Sequence, residues 1–76
     1  MPTYYNKDGI RIEMRPREDG HNLPHVHASY AGKTVSIALT GVILAGHINQ
    51  KAQRRALQWV REHARELELD WRKYHV

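Results

Sequence analysis

Three histidines fall within seven residues, His21-Asn22-Leu23-Pro24-His25-Val26-His27. Successive side chains of an extended strand point to opposite faces, so His25 and His27 project to the same side. His21 lies just upstream in the preceding loop, and Pro24 stiffens the approach by fixing its backbone φ. Several chemistries fit this spacing. The three imidazoles of His21, His25 and His27 can converge on a divalent ion such as zinc, with water, Asp19 or Glu13 in the fourth position. Alternatively, His25 and His27 can serve as acid and base on a phosphodiester, with Arg11 and Arg15 stabilising the charge that develops on phosphate. The same groups can also simply bind a phosphate or a carboxylate. A structural role is equally open, with the ring nitrogens tying the loop between Pro16 and Pro24 onto the sheet.

The elements that must position these residues follow from hydrophobic period. Tyr4-Tyr5 before the turn-like Asn6-Lys7-Asp8-Gly9 suggests a short strand and a reversal. Ile10-Arg11-Ile12-Glu13-Met14-Arg15 alternates strictly, the signature of a half-buried strand. His25 to Tyr30 alternates again. Gly32 turns the chain, and Val35, Ile37 and Leu39 then alternate with Thr34, Ser36 and Ala38, which predicts a hairpin. Gly41 and Gly46 bracket a further short strand at Val42-Ile43-Leu44. From Asn49, a suitable N-cap, the period lengthens. Leu57, Val60, Ala64, Leu67, Trp71 and Tyr74 recur at steps of three and four and form one apolar stripe. With no Gly or Pro after Gly46, one continuous helix over about 49–74 is expected.

The predicted fold is therefore α+β, a single domain over 1–76 in which four to five antiparallel strands within 3–44 pack on one long C-terminal helix. Alternation sends Ile10, Ile12, Met14, Val26, Ala28, Tyr30, Val35, Ile37 and Leu39 toward the helix. Arg11, Glu13, Arg15, His25, His27, Ser29, Thr34 and Ser36 go to the other face. Two further histidines belong elsewhere: His47 reads as a turn residue, and His63 as a partly buried, hydrogen-bonded neighbour of the stripe. Trp59 and Trp71 read as core or interface anchors.

Composition narrows the function classes. At 76 residues, with no Phe, the core is thin, and such a module gains stability from a metal, a partner or a second copy. The absence of cysteine excludes disulfides and thiolate metal sites. Met1 to Asp8 lacks the apolar run of a signal peptide, and Val42-Ile43-Leu44-Ala45 is too short to span a bilayer, so a cytoplasmic protein is expected. The net charge of +4 is concentrated toward the C-terminal segment and attracts polyanions or an acidic protein. Glu62 with Arg65 and Glu68 with Arg72 can pair locally and temper that field.

One further pattern spans almost the whole chain. Met1-Pro2-Thr3, Gly9-Ile10, Ile12, Met14, His21-Asn22-Leu23-Pro24-His25-Val26-His27-Ala28 and Tyr30 resemble the bacterial domain-of-unknown-function family 4160. Leu44, Gly46, Ala56-Leu57, Trp59, His63, Leu67 and Trp71 extend the resemblance. It departs at Leu23, where the family commonly has a second proline. The resemblance implies a small bacterial cytoplasmic protein, often encoded beside another small protein in a toxin–antitoxin-like arrangement, and it implies no established enzyme activity. It places emphasis on His21, Pro24, His25, His27, His63 and Trp71. The expectation is a partner-dependent module that binds or cleaves RNA through His25, His27, Arg11 and Arg15. The alternative is a divalent-metal-binding module using His21, His25 and His27, or a purely protein-binding one. A small protein partner or self-association is expected, and no membrane.

Overall fold

The computed structural model of the chain describes residues 3–14 and 23–74. Five strands, β1 (Thr3–Lys7), β2 (Ile10–Glu13), β3 (His25–Tyr30), β4 (Lys33–Ala38) and β5 (Ile43–Gly46), form one antiparallel meander in the order β1-β2-β3-β4-β5. Two helices follow, α1 (Gln50–Glu62) and α2 (Ala64–Tyr74).

Turn chemistry sets the register. Lys7 faces Ile10 across the pair Asp8-Gly9, and Tyr30 faces Lys33 across Ala31-Gly32. All four turn residues have positive φ, at 55° and 79° for the first pair and 51° and 79° for the second. Positive φ at both central residues is the requirement of the two-residue turn whose twist matches that of the flanking strands. Asp and Gly are suited to it, whereas Ala31 is not, because its Cβ crowds the neighbouring carbonyl.

The inner face of the sheet carries Ile10, Ile12, Val26, Ala28, Val35 and Ile37, all buried, as the alternation predicts. Against it α1 sets Ala52, Ala56 and Val60, one residue per turn, with Ile48 at its approach. Small side chains at two of these three positions let the helix lie close on the strands. Asn49 caps α1 as expected, its Oδ1 accepting from the backbone N–H of Lys51 at 3.0 Å and of Ala52 at 3.2 Å. The buried stripe is thus displaced from the sequence reading: Leu57 is only half-buried at its margin, and Ala52 and Ala56 take the central places.

The single long helix is a correction. The chain leaves helical geometry at His63, where φ is −114° and ψ is 15°. The Trp59 carbonyl accepts both the His63 backbone N–H at 3.0 Å and its ring Nδ1–H at 2.9 Å. The same backbone N–H is shared with the Val60 carbonyl at 3.3 Å, which tightens the last turn of α1. A side chain that enters the hydrogen-bond ladder breaks a helix without Gly or Pro. That route is invisible to a search for breakers.

Beyond the break, α2 meets the opening strand. Its Asp70 accepts from the Tyr4 hydroxyl at 2.8 Å, at the start of β1. Leu67 and Trp71 are buried at the same end of the sheet as Met14 and His25. So α1 covers the inner face, and α2 closes the end of the sheet where β1 and β3 begin.

Candidate functional site

Register places the expected chemistry in rows on the face opposite α1. Glu13, His27, Ser36 and Ala45 lie side by side across β2 to β5, while His25 pairs with Ala38. The next row toward the other end of the sheet holds Arg11, Ser29 and Thr34. Sequence alternation predicted this face for Arg11, Glu13, His25, His27, Ser29, Thr34 and Ser36, but not their adjacency. That signal was available, because the Ala31-Gly32 turn opposing Tyr30 to Lys33 obliges His27 to oppose Ser36.

The two histidines are inside the protein. His25 is 1% exposed and His27 is 6% exposed, and they are the buried polar side chains of the described residues. The His25 Nδ1 lies 2.7 Å from the Leu23 carbonyl oxygen. A carbonyl only accepts, so the proton of that bond sits on Nδ1. The bond closes the turn into β3, beside a backbone bond from Leu39 N–H to the Pro24 carbonyl at 3.1 Å. The His25 ring meets Trp71 of α2 at a centroid distance of 5.2 Å and 55°, and the His27 ring edge-on at 5.1 Å and 73°. His27 Nδ1 shares a hydrogen bond of 3.3 Å with the Ser36 hydroxyl. Buried polar groups must be paired or they cost the fold, and these nitrogens are paired.

Of the residues expected to act together, the structure joins His25 and His27, sets the expected Glu13 opposite His27 across the strands, and adds Trp71 and Ser36. Arg11 is exposed one row away. Arg15, His21 and Asp19 lie outside the described residues. Among the described residues no group of three or more His, Asp or Glu side chains is arranged to hold a metal ion. Of the expected ligands, His25, His27 and the fourth-position candidate Glu13 are among the described residues. A small cleft of about 170 Å³ lies next to the cluster, between the β3–β4 end and α2, with walls that include Pro24, Leu39 and Glu68 but neither histidine.

A second aromatic group, partly buried, packs at the end of α1. His63 stacks on Trp59 at 4.3 Å and 18°, and Trp59 in turn meets Tyr4 at 6.2 Å and Tyr5 at 5.9 Å. Trp71 was legible as an anchor but not as the wall of the histidine pair. It reaches the pair from α2, beyond the break at His63.

The span carrying this arrangement matches one family model, described as Domain of unknown function (DUF4160), over residues 9–72. The chain belongs to the DUF4160 family. The matched span runs from the β1–β2 turn through Arg72, so it includes both buried histidines, the break at His63 and Trp71, and leaves β1 outside. No curated protein and no solved structure matches the chain. The DUF4160 description assigns no activity, so the geometry has to carry the functional argument. No helix among the described residues is long and apolar enough to cross a membrane.

Proposed function

We propose that this DUF4160 chain is a protein-binding module, one component of a toxin–antitoxin-like bacterial pair, in which the histidine cluster fastens the fold. The observation that supports this reading is burial. A side chain that transfers protons to a substrate must reach it within hydrogen-bond distance. His25 and His27 instead spend Nδ1 on Leu23 and Ser36, and both rings are packed against other rings. A cluster of this kind rigidifies one end of a small sheet and leaves recognition to the exposed surface.

The reading is tested by comparing wild type with a His25→Asn/His27→Asn variant. If the cluster is structural, the variant loses melting temperature, and partner capture from the native host falls only in proportion to the unfolded fraction. A variant that melts like wild type yet loses capture or an RNA-directed activity would overturn it.

A second reading keeps RNA as the partner. Arg11 and Thr34 are exposed on the polar sheet face on either side of Ser29, and the chain carries a net charge of +4. Phosphate contacts by such a surface weaken steeply with salt. Arg11→Ala should then reduce binding of a single-stranded RNA oligonucleotide and flatten its salt dependence. An RNA affinity at low salt that is indifferent to Arg11 would remove this surface from consideration.

A further inference from the structure

The acids and bases of this chain are segregated in a way that neither half of the sequence shows by itself. No Asp or Glu occurs between Asp19 and Glu62. That span holds all of β3, β4 and β5 and all of α1 except its last residue, and it carries Lys33, Lys51, Arg54, Arg55 and Arg61. The acids lie before it, on or after β1 and β2, or beyond it at the end of α1 and along α2. Lys51 and Arg55 line a pocket with Asp8 beside the β1–β2 turn, which leaves Lys33 of β4 and Arg54 and Arg61 of α1 as the cations with no acid in their stretch of chain, whereas the β1 and α2 side is mixed.

The two edges of the sheet differ accordingly. The β1 edge carries Lys7, and its Tyr4 and Tyr5 are held against Trp59. Lysine on an edge strand is a common guard against unwanted pairing. The β5 edge carries no lysine; its four residues pair with β4 through one irregularity, at Ser36/Ile37, which leaves Leu44 as the extra residue between Ile43 and Ala45. From Thr40 through Gly46 there is no charge and no proline, Val42 is 56% exposed and Ile43 is 36% exposed. Among the described residues β5 has a strand neighbour on one side only. Gly46, at φ 75°, fixes the far end of the edge, because a Cβ there would collide with the Thr34 carbonyl oxygen.

The charge sits beside this edge on the helix-covered face. Ile43 opposes Ile37, a core residue, so its side chain is on the α1 side of the sheet. The Arg61 side chain lies over Gly41, at the start of the β4–β5 turn, its Nε 2.8 Å from where a Cβ would be. Arg54, two turns earlier on α1, shares that flank with Arg61, with half-buried Leu57 between them. Arg55, by contrast, turns to the other side and pairs with Asp8 at 2.8 Å.

Resting on the reading of the chain as a protein-binding module, we infer that the β5 edge is its docking surface. The occupant is an extended acidic segment of a partner protein that adds a sixth strand. Unpaired backbone groups call for another backbone, which a strand supplies and a nucleic acid does not. On the added strand, every second side chain faces α1, where carboxylates meet Arg54 and Arg61. The alternate side chains lie level with Ala45 on the polar face.

The probe is a capped hexapeptide alternating glutamate and valine, titrated into the ¹⁵N-labelled full chain, with a lysine–valine counterpart as control. The expected result is shifted and slowed-exchanging amides over residues 42–46, none over β1, and at least tenfold weaker binding of the lysine peptide. Ala45→Lys should abolish binding with an unchanged melting temperature. Arg54→Glu/Arg61→Glu should reverse the peptide preference. Amide shifts that map to β1 or α2 would overturn the proposal. So would a concentration-dependent dimer lost on Ala45→Lys, which would make the occupant a second copy. RNA binding that needs Arg54 and Arg61 but ignores Ala45→Lys would replace the strand by a nucleic acid. A native protein partner still captured by Ala45→Lys would overturn the β5 surface while leaving the binding-module reading in place. Failure of that reading is distinguished by a host in which no protein partner is captured by wild type at all.

Discussion

Trp71 of α2 lies against the imidazole of His25 of β3, ring centroids 5.2 Å apart and planes inclined at 55°. This is the contact that seals the sheet end, and it predicts energetic coupling. Trp71→Ala should cost about 3–5 kcal/mol, the range for a buried aromatic deletion, a large part of the stability of a small domain. The milder pair Trp71→Leu and His25→Asn allows a double-mutant cycle by urea denaturation. A coupling of about 0.5–3 kcal/mol is expected for residues in contact. Additivity within about 0.3–0.5 kcal/mol would mean that the two rings are neighbours without consequence.

Val60 and Leu57 should respond differently to the same change. Val60→Asp puts an unpaired charge against the sheet, and the domain should not fold. Leu57→Asp, at the half-buried margin of α1, should leave a cooperative melt at reduced temperature. Thermal denaturation followed by far-UV circular dichroism decides this, and equal loss in both variants would place Leu57 in the core after all.

Ala31 occupies a conformation better suited to Asn or Gly, at φ 51°. Ala31→Asn should stabilise the protein by about 1 kcal/mol, because the short Asn side chain hydrogen-bonds locally and offsets the left-handed penalty that its Cβ, like that of Ala, incurs. In a domain of this size that is about 4–8 °C in melting temperature. Gly46→Ala should do the opposite, because backbone of β4 occupies the space. A neutral Gly46→Ala would show that the β4–β5 pair adapts.

Zinc supplied at stoichiometric and excess concentrations should leave the melting temperature of untagged protein unchanged, and so should a chelator. A ligand that binds only the folded state raises stability by mass action. A saturable rise at one equivalent, weakening as the pH falls and histidine ligands protonate, would instead support the His21, His25 and His27 ion site.

Much of the architecture was legible before any coordinates. Alternation in Ile10–Met14, His25–Tyr30 and Val35–Leu39 gave the strands and their faces, because a half-buried antiparallel sheet has period two. The Asn49 cap was legible for the same local reason. The break at His63 was not, since it arises from a ring nitrogen competing for the Trp59 carbonyl rather than from a breaker residue. Nor did the helical stripe show that Trp71 would meet His25. His25 and His27 read as residues of an open polar face from their spacing, and both are buried. Strand period says which side of a sheet a residue takes, but says nothing about what else arrives there.

The meander has a consequence for how the molecule assembles in time. Each strand pairs with its neighbour in sequence, so the loops closed in forming the sheet are short, and such local topologies fold quickly. The Tyr4–Asp70 and His25–Trp71 contacts are of the opposite kind, joining the opening strands to the last helix. A sheet that zips hairpin by hairpin and a helix that docks last make α2 the late step. Substitutions at Trp71 should therefore quicken unfolding while leaving the refolding rate nearly untouched.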